Sequence, residues 1–533
     1  MGGVVAAGDR HTANAGIELL ARGGNAVDAA VGATLVACVA EPPLTSPFGG
    51  GFACMGRAGE AAHIYDFFAD VPGLPRTDPT PPQPLEFAGV ELDFGSTTQL
   101  FHVGRGAVAT PLLLPGLWRL QQEHGRLGVA AVAAPAERLA RDGVVISEQV
   151  GPIFRILAPI LSYSPQARDL FVPGGRTWAA GERFINPELA ELLRAWAAGH
   201  PDVAETAMLT TFGPPAGLLT AADMANREVY RYAPIQVTVA GRYQVELNPP
   251  PSSGGILVAF GLRLFEPVSA AALREPDGLY AHLLAALAVM AAARRDALDG
   301  AIRAGGQTLR DAGKRFLSDG YVDSWRDVFA RAVREGPSAA PLAGGEPPLG
   351  STTHVSAVDG QGAACAITTS NGEGSGYLVP GTGSMANNFM GEEDLHPGGF
   401  HARPPGMRLT SMMCPTVVRE DGVPRVALGS GGSNRIRSAV LQVLVRYLLR
   451  GESLQSAVDA PRLHYEGGPL FLEATGPGGH ALDASIQAAL AARAAPLKVF
   501  PEPNMFFGGV HAVARGGAGA GDGRRGGAVA HVD

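Results

Sequence analysis

The chain has 533 residues, of which 46% are hydrophobic and 17% charged, and its formal net charge is −8. At about 150 residues per domain, this length suggests three or four domains and a large buried core. The negative charge argues against nonspecific binding to nucleic acid or to an anionic membrane. The four cysteines form no C-x-x-C pair and require no oxidising compartment, so we expect buried thiols.

The N-terminal stretch lacks the basic start and the long apolar core of a secretory signal. No apolar run reaches the ~18 residues that a membrane-spanning helix requires. The two most apolar stretches, 29–40 and 283–293, are bounded by charged residues and are predicted to be buried helices. We therefore expect a cytoplasmic protein outside the membrane, or a periplasmic or secreted one if a signal precedes this sequence.

Helices and strands alternate in the first part of the chain. Apolar spacing of helical period predicts helices over residues 12–20, 25–39, 117–124, 134–141, 187–196 and 279–299. Alternating and β-branched residues predict strands over 52–55, 64–68, 229–232, 235–239 and 243–247. Asn25 and Asn186 are candidate N-caps, and Pro135 and Pro187 fit the first turns of their helices.

Two small-residue segments interrupt these elements. Gly49-Gly50-Gly51 suit a loop whose backbone is approached closely, although an ordinary turn before a strand explains them equally well. Residues 248–255, which read Asn-Pro-Pro-Pro-Ser-Ser-Gly-Gly, predict a rigid segment that is neither helix nor central strand.

The kind of predicted element changes after a Pro/Gly-rich segment, 334–350, that predicts a flexible linker. Strands are then predicted over 352–358, 363–369, 414–419 and 425–428, followed by a glycine segment and an apolar helix over 436–449. Helices in the first part and strand pairs in both parts predict an α+β fold of mixed sheets covered by helices.

Thr352 stands where the linker meets a strand. If the bond before it were cut, Thr352 would become a chain terminus. Its hydroxyl could then use its own α-amine as a base, which is one of the known ways to activate a threonine nucleophile. We therefore predict that Thr352 is a nucleophile.

The glycine segment 429–432 is the second candidate for chemistry. It matches neither a phosphate-binding loop nor a dinucleotide fingerprint, and the 13 histidines show no metal-binding motif, so we predict no cofactor and no metal. At a strand-to-helix junction, unpaired backbone N–H groups and the helix dipole favour an anion. The N–H groups of Gly432 and Ser433 are candidate oxyanion-hole donors, and a tight turn without chemistry is the alternative.

With these motifs in hand, the chain resembles the γ-glutamyltranspeptidase family of N-terminal-nucleophile hydrolases. The matching motifs are residues 23–30, 46–51, 249–255, 352–354, 387–388, 414–416 and 429–436. The resemblance implies a four-layer αββα sandwich with strands from both parts of the chain. It also implies self-cleavage between Ser351 and Thr352, which gives a segment 1–351, ending in the linker 334–351, and a segment 352–533 that stay together as a heterodimer.

The resemblance also implies roles for single residues. Thr352 matches the nucleophile, Gly432 and Ser433 the oxyanion hole, Ser370 a threonine that supports the nucleophile, Asn371 and Ser411 substrate contacts, and Glu392 the acid that grips the substrate α-amine. The implied enzyme is a γ-glutamyl hydrolase or transferase that acts on glutathione-like amides, with water or an amino acid as acceptor.

Three residues depart from the family pattern. Phe68 replaces an arginine that pairs with the substrate carboxylate, Met412 replaces the second of two serines, and Phe389 replaces a polar residue. Arg76 is the nearest cation downstream of Phe68, but it does not align. Because polar specificity depends on paired contacts, two alternatives stay open: an amidohydrolase for glutaryl-type or other amides, and an inactive processed binding scaffold.

Overall fold

Strands from both parts of the chain form a seven-stranded antiparallel sheet, in a computed structural model that describes residues 2–78, 80–93, 98–200, 204–337 and 351–532. The strands of this first sheet lie in the order Tyr230–Tyr232, His63–Phe67, Gly50–Gly56, Ala364–Ser370, Thr353–Asp359, Gly3–Ala7 and Ala528–Val532. The strand that follows Thr352 therefore lies between Gly3–Ala7 and Ala364–Ser370.

A second antiparallel sheet has six strands. They lie in the order Ile235–Val239, Tyr243–Leu247, Thr416–Glu420, Val423–Gly431, Gly509–Ala514 and Gly519–Ala520. Shorter sheets are formed by Ala69–Asp70, Ala88–Asp93, Thr98–Val103, Thr110–Pro111, Val144–Val145, Arg183–Phe184, Leu378–Val379, Ser384–Met385, Leu463–His464, Leu470–Glu473 and Leu497–Phe500.

The two main sheets face each other and carry helices on their outer faces. Val4 of the first sheet and Val417 of the second meet in an apolar layer between the sheets. Their neighbours Val5 and Val418 point outward into the helical layers, because successive strand residues face opposite sides of a sheet. This arrangement confirms the predicted α+β fold with four αββα layers.

The outer layers explain why so many helices are strongly apolar. Arg10–Ala21 and Ala26–Ala40 pack on the first sheet, and Gly254–Leu264 and Ile436–Leu444 pack on the second. The other α-helices are Leu113–His124, Val129–Asp142, Val150–Ile156, Ala158–Leu161, Pro165–Phe171, Pro187–Ala197, Glu205–Phe212, Ala221–Ala225, Pro276–Ala297, Asp299–Ala304, Gly306–Phe316, Asp319–Glu335, Leu454–Asp459 and Ala484–Arg493.

The predicted caps form, but one proline is not where the sequence places it. Asn25 accepts the N–H groups of Val27 and Asp28, and Asn186 accepts that of Leu189. Pro135, however, lies in the middle of Val129–Asp142. The predicted helix start at Ala134, with Pro135 in the first turn, is wrong, because the preceding alanines and valines continue the helix toward the N-terminus.

Both small-residue segments also differ from expectation. Gly50 and Gly51 belong to a strand, and a Cβ on Gly50 would lie 1.8 Å from the carbonyl oxygen of Phe68. The close approach that the glycines permit therefore comes from a neighbouring segment of the same chain. Gly254 is already the first residue of a helix, Gly254–Leu264. A Cβ at this position would lie 2.2 Å from the carbonyl oxygen of Met412, which explains why the residue is a glycine.

The structure describes only the first residues of the predicted linker 334–350. Arg334 belongs to the helix Asp319–Glu335, and residues 338–350 lie outside the described residues.

Of the helices that the structure describes, Pro276–Ala297 is long and apolar enough to cross a membrane, yet 67% of its most apolar 18-residue window is buried inside the fold. The four cysteines are buried and unpaired, as expected.

Candidate active site

Thr352 lies immediately before the strand Thr353–Asp359 and lines a cleft. Four other predicted site residues line the same cleft: Ser370, Glu392, Ser411 and Ser433. They come from the end of the first sheet, from the segment after it and from the end of the second sheet. Packing of the two sheets thus brings most of the predicted site together.

The uncut bond before Thr352 is held by the neighbouring strand. The hydroxyl of Ser370 donates to the carbonyl oxygen of Ser351, and the N–H of Gly372 donates to that hydroxyl oxygen at 2.9 Å. An N–H donor on the oxygen makes the Ser370 hydroxyl a stronger donor in turn. Ser370 therefore polarises the carbonyl that precedes Thr352.

The predicted oxyanion loop begins later than expected, because the strand Val423–Gly431 runs through most of the glycine segment. Gly432 and Ser433 then turn the chain with φ angles of 122° and 48°. Among the described residues, no hydrogen-bond acceptor takes the N–H of Gly432 or of Ser433. Two free N–H groups at the start of a helical segment are suited to an anion, although their role stays a prediction.

Asn371 and Ser411 differ in their positions. The side chain of Asn371 donates to the carbonyl of Met385 at 3.3 Å and is absent from the lining of the cleft. Ser411 lines the cleft, and its Oγ accepts the N–H of Met413 at 3.1 Å. A substrate contact is thus geometrically supported for Ser411, whereas for Asn371 it stays a prediction without that support.

A cluster of three carboxyl groups lies beside Thr352. Glu392 and Asp394 line the cleft, and Glu373 lies behind it. Burial raises the pKa of Glu392 well above its usual value, that of Glu373 to about 8 and that of Asp394 to about 6. The hydroxyl of Ser433 donates to Asp394. The sequence motifs identified only Glu392, because no pattern in the chain links the other two carboxyl groups to Thr352.

The departures from the family pattern form an apolar wall. The rings of Phe68 and Phe389 lie 4.7 Å apart, and Met412 joins them in lining the cleft. Arg76 lies elsewhere and donates to the carbonyl of Thr80 at 2.8 Å. The position at which the sequence resemblance implies a cation is therefore occupied by the Phe68 ring, which packs at a tilt against the Phe389 ring.

One cation nevertheless lines the cleft. Arg294, near the end of the helix Pro276–Ala297, donates from Nε to Asp299 at 2.9 Å. Its two Nη groups donate no hydrogen bond to a described residue. Sequence reasoning missed Arg294, because the side chain of an arginine at the end of an apolar helix is ordinarily exposed to solvent.

A buried acid supports the strand that follows Thr352. Glu41 accepts hydrogen bonds from the hydroxyls of Thr353, at 2.7 Å, and Thr12, at 2.9 Å. Burial raises its pKa from 4.5 to about 8. A carboxyl group that keeps its proton in the folded state makes folding less favourable as pH rises through this interval.

The unfolding free energy of a Glu41→Gln variant should therefore fall less than that of the wild type between about pH 4.5 and 8. Below pH 4.5 the folded and unfolded states both hold the proton, and above pH 8 both have lost it, so the two curves should run parallel there. Urea unfolding at several pH values measures the difference. The exposed Glu60→Gln change is the control, and curves that stay parallel across the whole interval would contradict the assignment.

Known proteins resemble this chain over nearly its whole length. The family model described as Gamma-glutamyltranspeptidase matches residues 12–532. The acylase ACY 1 proenzyme of Pseudomonas sp. (strain V22) is 32% identical over 507 residues, which cover 94% of this chain and 87% of that protein. The glutathione hydrolase proenzyme of Escherichia coli (strain K12) is 28% identical over 487 residues, which cover 87% of this chain and 81% of that protein.

The fold has solved relatives as well. The crystal structure of cephalosporin acylase from Bacillus halodurans matches with a TM-score of 0.78 at 23% identity, covering 99% of this chain and 95% of that chain. At this identity the match supports the fold of an N-terminal-nucleophile hydrolase. Together with the family match, it confirms the resemblance drawn from the sequence motifs: the chain belongs to the γ-glutamyltranspeptidase family.

Proposed function

We propose that this chain cuts itself before Thr352 and then hydrolyses amides through an acyl ester on the Thr352 hydroxyl. The observation that carries the proposal is the position of Thr352 in a cleft that Ser370 and Ser433 also line. The N–H of Ser433 and that of its neighbour Gly432 donate to no described residue. The names of two relatives, both proenzymes, support an enzyme that requires processing.

Each group has a task in turnover. The freed α-amine of Thr352 takes the proton of the hydroxyl as Oγ attacks the amide carbon. The N–H groups of Gly432 and Ser433 stabilise the negative charge that develops on the amide oxygen. The proton passes to the departing amine, and water then attacks the ester, which releases the acid and restores the hydroxyl.

For the acyl donor, we propose an amide whose acyl chain is apolar along its length and ends in a carboxylate, such as a glutaryl amide. Phe68, Phe389 and Met412 offer an apolar wall to the chain, and the Nη groups of Arg294 are available for its carboxylate. A guanidinium suits a carboxylate because two parallel N–H groups match its two oxygens.

γ-Glutamyl amides, including glutathione, are the second candidate. Glu392 favours them, because it stands where the family grips the substrate α-amine. However, burial raises the pKa of Glu392 well above its usual value, and a protonated carboxyl offers an ammonium no opposite charge. We therefore place the γ-glutamyl donor second.

A comparison of three anilides tests the donor. The wild type should hydrolyse glutaryl-p-nitroanilide with a kcat/KM at least roughly tenfold above those of γ-glutamyl- and pentanoyl-p-nitroanilide, since the last lacks the terminal charge. Arg294→Gln should lower the glutaryl value about 10- to 100-fold, which corresponds to the loss of one charge-assisted contact, and leave the pentanoyl value unchanged.

The adjacent arginine supplies the matched control. Arg295 is exposed and donates to the carbonyl of Glu466 at 3.3 Å, so Arg295→Gln should leave all three values unchanged. A wild type that prefers the γ-glutamyl anilide would reverse the proposed order of donors. An Arg294→Gln variant that keeps the glutaryl preference would contradict the assignment of Arg294 to the carboxylate. Failure to hydrolyse any of the three would count against the amidohydrolase itself.

A further inference from the structure

The end of the strand Ala364–Ser370 and the segment that follows it hold Ser351 on both sides of its Cα atom. The Ser370 hydroxyl donates to the Ser351 carbonyl oxygen, and the Ser351 N–H donates to Oε1 of Glu373 at 3.0 Å. Fixing the N–H and the carbonyl of one residue fixes both of its backbone dihedrals, and hence the direction in which its carbonyl points. Ser351 is the residue whose carbonyl carbon self-cleavage must attack.

Glu373 is placed firmly for this contact. Its side chain is 3% exposed, and its own N–H donates to the side chain of Asn388 at 2.9 Å. The other carboxyl oxygen, Oε2, is buried and has no hydrogen-bond partner among the described residues. A buried carboxyl with an unpaired oxygen destabilises a fold, and the turnover chemistry proposed above assigns Glu373 no task.

We infer that Glu373 is a positioning residue for self-cleavage: its carboxyl holds the Ser351 N–H and thereby aims the Ser351 carbonyl carbon at the hydroxyl of Thr352. The inference rests on the self-cleavage proposed above. Glu373 acts through Ser351 and does not touch the reacting atoms, whereas Ser370 contacts the reacting carbonyl directly.

The reaction that Glu373 assists has two steps. In the first, Thr352 Oγ bonds to the Ser351 carbonyl carbon, the bond from that carbon to the Thr352 nitrogen breaks, and the hydroxyl proton ends on the nitrogen. In the second, water attacks the same carbon, the ester bond breaks, and the products are a Ser351 carboxylate and a free Thr352 with its hydroxyl and α-amine. A displacement of about 1 Å at the attacked carbon can slow such a step by about 100-fold.

Two substitutions distinguish the effect of the hydrogen bond to the Ser351 N–H from the effect of an acidic group at this position. Glu373→Asp keeps a carboxyl group but withdraws it by about 1.5 Å, beyond hydrogen-bond reach of the Ser351 N–H. Glu373→Gln removes the acid but keeps an acceptor at the same place. We expect cleavage, followed on denaturing gels from the start of expression, to be roughly 10- to 100-fold slower in Glu373→Asp and within about threefold of the wild type in Glu373→Gln.

The control is Glu393→Gln, an exposed acid near the same cleft, which should cleave like the wild type. Thermal unfolding of each uncut variant reports on the fold. Wild-type cleavage speed in a folded Glu373→Asp variant, or equal slowing by Asp and Gln, would overturn the inference. A wild type that never cleaves would instead overturn the proposed processing, so the two failures are distinguishable.

Discussion

A Thr352→Ala variant should run as a single uncut band of 54.9 kDa on a denaturing gel and hydrolyse amides at least roughly 10³-fold more slowly than the wild type. The wild type should give two bands, for residues 1–351 and 352–533. The effect is large because one hydroxyl makes both attacks, first on the Ser351 carbonyl and then on the substrate, and alanine has no atom that can replace it.

Thr352→Ser is the matched control for this experiment. Serine keeps the hydroxyl and loses only a methyl group, so it should still be cleaved and should retain measurable hydrolysis. An uncut wild-type chain with full activity would show that the nucleophile is not a chain terminus. A cleaved and active Thr352→Ala variant would show that another residue performs the attack.

A Gly432→Ala variant should lose about 10²- to 10³-fold in kcat, the usual consequence of removing one oxyanion-hole donor. Gly432 has a φ of 122°, a conformation that residues with a Cβ rarely adopt. The added Cβ would also lie 2.9 Å from Cα of Gly508. The chain must therefore shift at the point where the two N–H groups are aimed.

Gly422 is a suitable control for the strain itself. It lies in the exposed turn between Thr416–Glu420 and Val423–Gly431, has a φ of 77°, and has open space where a Cβ would be added. Gly422→Ala should lower stability by about 1 kcal/mol and leave kcat unchanged. Equal effects of the two substitutions on kcat, measured on fully cut protein, would remove the case for an oxyanion hole at Gly432.

The elements that the sequence predicted well have local causes. The caps Asn25 and Asn186 act within three residues of themselves, so a short stretch of sequence contains the whole interaction. The strands 235–239 and 243–247 have the predicted bounds because both combine alternation with a turn between them.

The elements that were missed or misplaced depend on distant neighbours. The glycine segment 429–432 suggested a loop. The strand Val423–Gly431 nevertheless continues to Gly431, because it pairs with the strand Gly509–Ala514, which is distant in the sequence. Gly429 lies in that strand for a packing reason, since a Cβ there would lie 2.3 Å from the ring of His354. Helix Gly254–Leu264 starts inside a stretch that reads as rigid coil, and its contacts with the second sheet stabilise it.

The sequence by itself determined the family, whereas only the tertiary structure decided what surrounds the bond between Ser351 and Thr352. The predicted nucleophile depends on one position, Thr352, and each family motif is a short continuous stretch of the chain. The apolar wall of the cleft joins Phe68 to Phe389, the cation that lines the cleft is Arg294, and the Ser351 N–H donates to Glu373. These side chains come from segments far apart in the chain, and only the packing of two sheets and their helical layers sets the distances between them.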